Sequence, residues 1–539
     1  MRKIVKATGV SLGTVHRLLG VHKRSSTHSP QVLVIFLGLF TFTVCYFRSF
    51  IFPNVPLLPG GDGLGFYVAG SRIVAGQLPY RDFFEIIPVG TDLIYALLIK
   101  RFGFYAWVPG LVMDCLAAVT AMLMTLVAGR LMRGFIILLP GLLLVGFVLL
   151  GSLDATHHWF CTFAAMAGML VLLDGITFPR IAVTGALCGL AACFTQTVGA
   201  MLIVGLLAYV IWKTRREGAR TRECWSKCLL LFGIAAAVFV AVNGYFIWAA
   251  GLRQWLFCIL IYPIRYFTVP AVNNWRVVRY DFQWHASLGR WVSFPFVYAT
   301  VPLVYLTFAL AALRRWKGDR DGLDDRLVLV ALAGFSMFLA IAPSPSLLRL
   351  STVSPPALIL LVWLLNRPGK IASGLNTSLA AAAIALAVAT PIHYQTRWRA
   401  YLDLPAGRTA FSDPVQYDEY HWVLGHTHPG QFFFGMPPMY LPFHLLNPTA
   451  VEGIDASDYT RPEQVGAALQ ALERHPVPLM VTRGPIDSPT SESDHSGPFQ
   501  DYVRENYRVT RIFANGDRAW ERIDALGADS SCAAPMEDK

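Results

Sequence analysis

The run Gln31-Val-Leu-Val-Ile-Phe-Leu-Gly-Leu-Phe-Thr-Phe-Thr-Val-Cys-Tyr-Phe-Arg-Ser-Phe-Ile51 is apolar almost throughout, and Arg48 is its one charged residue. About 20 consecutive apolar residues in a helix are long enough to cross the hydrocarbon core of a bilayer. Comparable runs recur along the chain as far as Ile392. The sequence therefore predicts a polytopic α-helical membrane protein.

The composition supports the same class. Of the 539 residues 55% are hydrophobic and 15% are charged, and the mean hydropathy is +0.49. An average soluble domain has about 25% charged residues, so a purely water-soluble fold is excluded, as are collagen-like, disulfide-scaffold and disordered classes. The nine cysteines lie mostly in apolar runs and are expected to be small core residues. Cys224 and Cys228 have helical spacing but no further Cys or His nearby, so no metal site is predicted there.

The charges indicate which loops face the cytoplasm. Residues 1–392 hold 33 Lys and Arg against 14 Asp and Glu, whereas residues 393–539 hold 12 against 20. Basic loops stay on the cytoplasmic side, and with the N-terminus inside they all fall there if the chain crosses eleven times. The predicted spans are 31–51, 105–129, 134–152, 156–174, 180–194, 197–212, 228–250, 291–313, 327–343, 347–365 and 371–392.

Two segments test that count. Ile86–Ile99 is apolar but too short to span, and we expect an interfacial or re-entrant helix there. The run Arg180–Trp212 has basic residues at both ends and is too long for one ordinary span. Two short spans that meet at Thr195-Gln196-Thr197 satisfy the charge rule, and one long helix does not.

Three regions follow from these spans. Residues 1–30 are a basic cytoplasmic segment, in which Thr8–Gly20 resembles a helix-turn-helix but favours an amphipathic helix in this context. Residues 31–392 form the membrane domain, with a large outer loop at 52–104. Residues 393–539 are expected to form a small extracytoplasmic α/β domain. Its predicted helices are Val415–Gly425, Pro462–Arg474 and Pro498–Tyr507, and its predicted strands are Gln431–Phe434, Val477–Thr482, Val509–Ala514 and Arg518–Ile523.

The first outer loop is the stretch with the most chemical information. It reads Gly60-Gly-Asp-Gly-Leu-Gly-Phe-Tyr-Val-Ala-Gly-Ser-Arg-Ile-Val-Ala-Gly-Gln-Leu-Pro-Tyr-Arg-Asp-Phe-Phe-Glu-Ile-Ile-Pro88. Asp62 precedes a short amphipathic helix, and by the residues alone an ordinary capping acid is favoured over a functional one. Arg81, Asp82 and Glu85 then follow in a turn before the next apolar helix.

The order of these pieces resembles the GT-C glycosyltransferases, a superfamily of membrane enzymes. The early Asp, Gly76-Gln-Leu-Pro-Tyr-Arg-Asp-Phe83 and the apolar helix that ends Arg101-Phe-Gly103 are similar to the protein O-mannosyltransferase, aminoarabinose-transferase and rhizobial lipopolysaccharide-core branches. Those enzymes take a sugar from a polyprenyl-phosphate carrier at the outer face of the membrane. By this resemblance Asp62 binds and activates the acceptor hydroxyl.

Three further segments of the sequence resemble family motifs and occur in the same order. Glu85-Ile-Ile-Pro88 falls where the family often has Glu-Lys-Pro-Pro, so Glu85 carries over while Ile86 departs from the lysine. Asp154, in Gly151-Ser-Leu-Asp-Ala-Thr-His-His158, corresponds to a second outer acid. In Ala186-Leu-Cys-Gly-Leu-Ala-Ala-Cys-Phe-Thr-Gln-Thr-Val-Gly199 the family's lysine is replaced by Thr195, and Gln196 is kept. The resemblance covers roughly residues 30–370.

Without those lysines a donor phosphate needs other cations near the outer interface. The preferred partner is Arg349, for which a snorkelling interfacial arginine is the structural alternative. The paired His157 and His158 are expected either to bind phosphate or acceptor or only to begin a span. The outer candidates are His157, His158, Arg265, Arg276, Arg279 and Arg349.

Two other features have structural alternatives. Asp114 lies inside a predicted span and is expected to be a structural pair, since an acid is costly there. The aromatic loop from Trp255 to Trp291 either forms an interfacial belt or holds a sugar or prenyl tail.

These residues predict an inverting glycosyltransferase of the inner membrane with a lipid-phosphate donor of a hexose or pentose, Asp62 as base, and Glu85 and Asp154 as further catalytic acids. The residues predicted to bind donor phosphate or substrate are Arg81, Asp82, His157, His158, Gln196, Arg265 and Arg349.

The predicted acceptor is a lipid, polysaccharide or protein, and nucleic acid is not a predicted partner. No cofactor is predicted with certainty, and a divalent cation is left open. The alternative is a transporter or flippase of a lipid-linked saccharide, which predicts internal repeats and charges at the membrane midplane.

Overall fold

The computed structural model of the protein describes residues 30–151, 153–283, 288–318, 324–366, 368–454, 459–486 and 494–523. The basic N-terminal segment, with its Thr8–Gly20 stretch, lies outside these residues. The first half of the bundle contains nine helices, which are α1 Pro30–Ser49, α2 Asp62–Val74, α3 Gly90–Phe102, α4 Trp107–Leu131, α5 Phe135–Val148, α6 His157–Leu172, α7 Phe178–Phe194, α8 Gln196–Arg216 and α9 Thr221–Ala250.

The second half begins with short helical turns and continues with four long helices. These elements are α10 Leu252–Leu256, two π-helical turns at Phe257–Ile261 and Pro263–Phe267, α11 Val277–Gln283, α12 Leu288–Gly318, α13 Asp325–Ile341, α14 Leu347–Leu365 and α15 Lys370–Thr396.

Every predicted span coincides with a helix, but the helices differ in length. Within the described ranges seven of them, α1, α4, α8, α9, α12, α14 and α15, are long and apolar enough to cross a membrane. The other four, α5, α6, α7 and α13, are shorter, and α5 contains a 3-10 turn and a π turn. The membrane character of the chain is therefore clear, whereas the count of eleven spans stays a prediction.

The structure shows what the two segments form on which the predicted number of spans depends. The break between α7 and α8 lies at Thr195, whose extended backbone (φ −142°, ψ 103°) ends one helix before Gln196 begins the next. The short apolar segment after Glu85 forms α3, a helix of 13 residues. The predicted break at Thr195-Gln196-Thr197 is confirmed, whereas α8, with 21 residues, is longer than the short segment predicted there.

The basic loops predicted to face the cytoplasm meet at one end of the bundle. Arg326 at the start of α13 donates to the carbonyl of Arg130 at the end of α4 (2.9 Å). Asp325 pairs with Arg216 at the end of α8 (2.7 Å) and with Lys213. Asp62, Glu85 and Arg349 lie at the other end of the bundle. The basic loops predicted to face the cytoplasm are therefore separated from the candidate site.

The C-terminal part of the chain packs on the end of the bundle that carries Asp62. A short pair of strands, β1 Phe50–Ile51 and β2 Val55–Pro56, lies in the first loop. The strands of the C-terminal part are β3 Ala400–Leu404, β4 Gly407–Phe411, β5 Phe434–Gly435, β6 Leu479–Thr482, β7 Tyr507–Ile512 and β8 Arg518–Arg522. Strands β3 and β4 form a hairpin, and the other four form a sheet of order β5-β6-β8-β7, in which β5 and β6 are parallel and the other pairs antiparallel. Its helices are α16 Pro414–His426, α17 Tyr440–Phe443, α18 Pro462–Arg474 and α19 Gly497–Asn506.

Two polar side chains hold the ends of the first and last long helices. Gln395 of α15 donates to the carbonyls of Phe47 (2.9 Å) and Phe50 (2.6 Å) and accepts from the backbone N–H of Phe52 (3.1 Å). Asp114, the acid inside α4, accepts from the hydroxyl of Ser49 (2.9 Å). The ends of α1, α4 and α15 are therefore fixed next to one another.

We expect Gln395→Met to lower stability because it removes three hydrogen bonds between α15 and the α1–β1 junction. The loss is at most roughly 3 kcal/mol, since a hydrogen bond contributes about 1 kcal/mol and these three are partly exposed to solvent. The melting midpoint of the purified protein in detergent measures it, with Gln470→Met on the exposed face of α18 as the matched control. Equal midpoints for the two variants would contradict this role of Gln395.

Candidate active site

The glycine-rich start of the first outer loop brings two carboxyl groups close to the backbone of α2. Gly61 precedes the helix with φ +82°, a conformation that favours glycine. A Cβ on Gly61 would lie 2.3 Å from Oδ2 of Asp154, and one on Gly63 would lie 2.4 Å from Oδ1 of the same residue. These glycines are therefore required for Asp154 to reach the helix start.

Asp154 is held against α2 by the backbone. Its Oδ1 accepts from the N–H of Gly63 (3.0 Å), and the next residue, Ala155, accepts from the hydroxyl of Tyr95 in α3 (2.9 Å). Burial, and then the charge of Asp62, raise the pKa of Asp154 to about 7, although backbone N–H groups partly oppose this. Asp154 can therefore gain or lose a proton near neutral pH.

Asp62 is the first residue of α2, and its carboxyl group lies in the first turn of the helix, where the helix dipole favours a negative charge. The residue keeps exposed surface, yet desolvation by the surrounding protein raises its pKa, and the charge of Arg349 partly lowers it. Asp62 therefore lies at the edge of a polar, partly desolvated space. We call this space, bordered by Asp62, Glu85, Asp154, Arg349 and Glu452, the acid recess.

Arg349 supplies positive charge on the other side of Asp62. It lies in the first turn of α14, where the hydroxyl of Ser346 accepts from its backbone N–H (3.3 Å). Its Nη1 donates to the carbonyl of Ser344 (3.1 Å) and also contacts the Ser344 hydroxyl, and its guanidinium lies 5.6 Å from the centroid of the Phe267 ring. Among the described residues it forms no ion pair at contact distance.

Glu85 lies in the turn before α3 and points toward the same recess. Its Oε1 accepts from the backbone N–H groups of Ile86 (2.8 Å) and Ile87 (3.3 Å). Burial, and then the charge of Glu452, raise the pKa of Glu85 to about 8. The carboxyl groups around the recess therefore resist simultaneous ionisation.

Glu452 belongs to the C-terminal part and is the residue that sequence reasoning missed. A Cβ on Gly65 of α2 would lie 3.4 Å from Glu452 Oε1, so the carboxyl group lies against the helix one turn after Asp62. Desolvation raises its pKa, which Arg72 partly opposes, yet the residue keeps exposed surface, as Asp62 does. Nothing in its local sequence, Val451-Glu-Gly453, indicates a site, because the contact joins residues almost 400 positions apart.

Two backbone contacts fix the loop that carries Glu452. Arg72 of α2 donates from Nη2 to the carbonyl of Thr449 (2.8 Å), and the N–H of Phe84 donates to the carbonyl of Ala450 (2.7 Å). Desolvation lowers the pKa of Arg72 to about 10, and nearby acids, Glu452 among them, partly oppose this. The C-terminal part thus forms one wall of the acid recess.

The predicted histidines and glutamine lie around the break between α7 and α8. His157 Nδ1 is 2.8 Å from the hydroxyl of Thr195, and its ring packs edge-on against Phe66 of α2 (5.1 Å between centroids). His158 is buried, with its ring 3.9 Å from that of His157. The amide of Gln196 donates to the carbonyls of Ile86 (3.0 Å) and Ile259 (3.3 Å), so it ties the Glu85 turn to the first π-helical turn.

The remaining predicted cations and Asp82 lie on exposed surface. Arg81 and Asp82 pair with each other (2.8 Å), and the Arg81 side chain is 51% exposed. Asp82 also accepts from the N–H of Leu78 (2.8 Å), which gives the pair a clear role in the turn. The structure places Arg265, Arg276 and Arg279 on exposed segments around the aromatic loop.

The aromatic loop exposes apolar side chains on one side and contacts the rest of the protein on the other. Leu260, Ile261 and Ile264 are exposed, as expected next to lipid. The buried ring of Tyr262 packs against Phe84, next to Glu85 (4.7 Å between centroids), and its hydroxyl donates to the carbonyl of Tyr459 in the C-terminal part. No group of three or more His, Cys, Asp or Glu side chains able to hold a metal ion occurs within the described ranges.

Fold and site together define a polytopic membrane protein with a polar recess between the helix bundle and a C-terminal α/β part. Among solved structures the chain is similar to ArnT from Cupriavidus metallidurans bound to undecaprenyl phosphate, with 12% identity, 94% of this chain and 99% of that chain covered, and a TM-score of 0.56. It is similar to the same protein in the apo state, with 12% identity, coverage of 94% and 99%, and a TM-score of 0.55. It is also similar to AglB from Archaeoglobus fulgidus in complex with an inhibitory peptide and a dolichol-phosphate, with 12% identity, coverage of 94% and 75%, and a TM-score of 0.53.

ArnT and AglB are both members of the GT-C superfamily, so the predicted resemblance is confirmed at the level of the fold. No protein-family model and no curated protein sequence matches the chain.

We expect Asp154→Asn to become more stable relative to wild type as pH rises from about 4 to about 7. The folded protein raises the pKa of Asp154 to about 7, above the value of about 3.9 in an unfolded chain, so wild-type stability falls across this interval and then levels off. Asparagine does not ionise. The difference in melting midpoint between variant and wild type, measured at several pH values, should therefore grow and then reach a plateau.

Asp82→Asn provides a contrast of opposite sign. The Arg81 partner lowers the pKa of Asp82, so its charge stabilises the folded protein above the unfolded pKa and this stabilisation is lost as pH falls through the folded pKa. This variant should be less stable than wild type at neutral pH. A midpoint difference for Asp154→Asn that does not change with pH would contradict the burial of this carboxyl group.

Proposed function

We propose that the protein is a glycosyltransferase that moves a sugar from a polyprenyl-phosphate carrier to an acceptor hydroxyl at the outer face of the cytoplasmic membrane. The observation that carries the proposal is that Asp62 at the start of α2 and Arg349 at the start of α14, without an ion pair at contact distance, border one recess at the end of an apolar bundle. A base and a phosphate-binding cation at the membrane edge suit a sugar that arrives on a lipid phosphate. The C-terminal part then lies on the extracytoplasmic side.

Asp62 acts as the general base. The acceptor hydroxyl hydrogen-bonds to its carboxylate, and the hydroxyl oxygen forms a bond to the anomeric carbon as the bond from that carbon to the phosphate oxygen breaks. The proton passes to Asp62, and the polyprenyl phosphate leaves with the bonding electron pair. Attack in line with the leaving group inverts the anomeric configuration. Because burial raises the pKa of Asp62, the carboxylate is a stronger base than an exposed aspartate.

Arg349 binds the phosphate of the donor. A guanidinium in a partly desolvated recess stabilises the negative charge that develops on the leaving oxygen more strongly than it would in water. Phosphate needs no general acid to leave, so a second catalytic carboxyl group of the kind found in glycosidases is not required. Asp154 instead positions the start of α2, and with it Asp62, through its bond to the Gly63 N–H.

The other acids bind the acceptor. Glu85 and Glu452 line the recess from two different parts of the chain, and carboxylates accept hydrogen bonds from sugar hydroxyl groups. Gln196 positions Glu85 by holding the Ile86 carbonyl, and His157 packs beside α2. Arg81 and Asp82 pair with each other and so stabilise the turn before Glu85.

The prenyl chain of the donor lies along the apolar side of the aromatic loop. The exposed side chains of the two π-helical turns face lipid, and Phe267 of the same segment contacts Arg349. A carrier that lies there places its phosphate at Arg349 and its sugar in the recess. The lipid phosphates named with the ArnT and AglB structures are of the same chemical class.

We expect Asp62→Asn to reduce sugar release from a polyprenyl-phosphate donor by about 10²–10⁴-fold, because the amide cannot accept the proton. Purified protein in proteoliposomes, with a radiolabelled lipid-linked sugar and an extract of envelope acceptors, measures this rate. Asp403→Asn, whose side chain in β3 is 90% exposed, is the matched control and should keep wild-type activity. Full activity of Asp62→Asn would remove it as the base, and solute flux without sugar transfer by the wild type would favour a transporter.

A further inference from the structure

The segment of the aromatic loop from Phe267 to Asp281 returns to the start of α14, the helix that carries Arg349. At one end of the segment, the centroid of the Phe267 ring lies 5.6 Å from the Arg349 guanidinium. At the other end, the partly buried carboxyl group of Asp281, in α11, accepts from the backbone N–H of Leu347, the first residue of α14 (2.7 Å). The segment therefore contacts α14 both at the guanidinium and at the backbone two residues before it.

Asn274 fixes the middle of this segment. Its side-chain Nδ2 lies within hydrogen-bond distance of three successive backbone carbonyls, those of Thr268 (2.9 Å), Val269 (3.2 Å) and Pro270 (3.0 Å). Its Oδ1 accepts from the backbone N–H of Arg276, just before α11 (2.9 Å). The residues that follow Phe267 are therefore bonded to the start of α11, and the two contacts with α14 belong to one connected unit.

The hydrogen bonds of Asp281 join this unit to two long helices. The hydroxyl of Tyr298 in α12 lies 3.1 Å from Oδ2 of Asp281 and 2.5 Å from the carbonyl of Pro345, in the turn before α14. The first backbone N–H groups of a helix have no partner within the helix, and Asp281 supplies one for Leu347. The helix dipole also favours a negative charge at this end. Asp281 therefore connects α11, α12 and the start of α14.

The position of Arg349 in the acid recess depends on the start of α14. Its Nη1 donates to the carbonyl of Ser344, in the same turn before the helix (3.1 Å). The charges of Asp62 and Asp281 both act on its guanidinium. Since Leu347 and Arg349 lie in one turn of α14, a shift of the helix start displaces the guanidinium relative to Asp62.

We propose that Asp281 is a positioning residue for the donor phosphate, which fixes the first turn of α14 to the aromatic loop and so holds the Arg349 guanidinium between Phe267 and the acid recess. Asp281 acts through Arg349 and does not itself contact the donor. This role rests on the proposed function, because it requires Arg349 to bind the phosphate. One carboxyl group then sets the position of the loop along which the prenyl chain lies and of the cation that binds the phosphate.

The test measures the binding of a prenyl phosphate without sugar transfer. Full-length protein in detergent is titrated by calorimetry with farnesyl phosphate, a short, water-soluble probe with the phosphate group of the released carrier. We expect Asp281→Ala to weaken this binding by about 10-fold, which corresponds to about 1.4 kcal/mol. Asp281→Asn, which keeps an oxygen acceptor for the Leu347 N–H but loses the charge, should weaken it less.

A matched control separates positioning from a general loss of stability. Asp324 caps α13 at the opposite end of the bundle, where its Oδ1 accepts from the backbone N–H of Arg326 (2.9 Å). Asp324→Ala also removes a carboxylate that caps a helix, so it should lower the melting midpoint and leave farnesyl phosphate binding unchanged. Equal binding by the Asp281→Ala and Asp324→Ala proteins would overturn the proposed role.

A double variant shows whether Asp281 acts through Arg349. Arg349→Gln alone should weaken farnesyl phosphate binding, and the further change Asp281→Ala should then have no effect, because the group that it displaces is already absent. Additive losses in the double variant would contradict the proposed role. Tighter binding by both Asp281→Ala and Asp281→Asn would also contradict it, because the carboxylate would then oppose phosphate through its charge.

Turnover separates the failure of this inference from the failure of the proposed function. In proteoliposomes with the lipid-linked donor, Asp281→Ala should raise KM for the donor by about 10-fold and leave kcat within about 2-fold, whereas Asp62→Asn lowers kcat. Wild-type binding of farnesyl phosphate by Arg349→Gln would contradict the phosphate site of the proposed function, and this role with it. Loss of binding in Arg349→Gln together with wild-type binding and KM in Asp281→Ala would overturn this inference alone.

Discussion

The bond from the Gly63 N–H to the Asp154 carboxyl group is the contact on which the rest of the site depends. It fixes the start of α2 against the loop before α6, and the flanking glycines permit an approach that any side chain would block. Asp62 is thereby held close to Asp154, whose pKa is raised by burial and by the charge of Asp62. Desolvation raises the pKa of Asp62 itself, and the charge of Arg349 partly lowers it. Base strength and phosphate binding therefore come from one local geometry.

A second constraint is that the membrane bundle does not form this recess alone. The loop around Glu452 is bonded to Arg72 and Phe84 through backbone carbonyls, and Tyr262 connects the aromatic loop to the C-terminal part. On the other side, Gln395 fixes the end of α15 beside the end of α1. The C-terminal part is thus a structural component of the recess.

Local patterns predicted the elements well and the site in part. Apolar runs and charge sidedness located the helices predicted as spans, and the break at Thr195 followed from a run too long for one span. The short helices α10 and α11 and the two π-helical turns were not predicted. The order of motifs pointed to Asp62, Glu85 and Asp154, and the need for a cation at the outer interface pointed to Arg349. Glu452 could not be found, because its place at the recess comes from contacts between distant segments. The hairpin β3–β4 was also missed, since it follows α15 without a periodic signal of its own.

The most direct measurement of the central claim is a structure of the full-length protein with undecaprenyl phosphate in nanodiscs, determined by cryo-electron microscopy. The account predicts phosphate density within hydrogen-bond reach of the Arg349 guanidinium, on the side that faces Asp62, with the prenyl chain along the π-helical turns after α10. Phosphate density at the opposite end of the bundle, near Arg130 and Lys213, would contradict it.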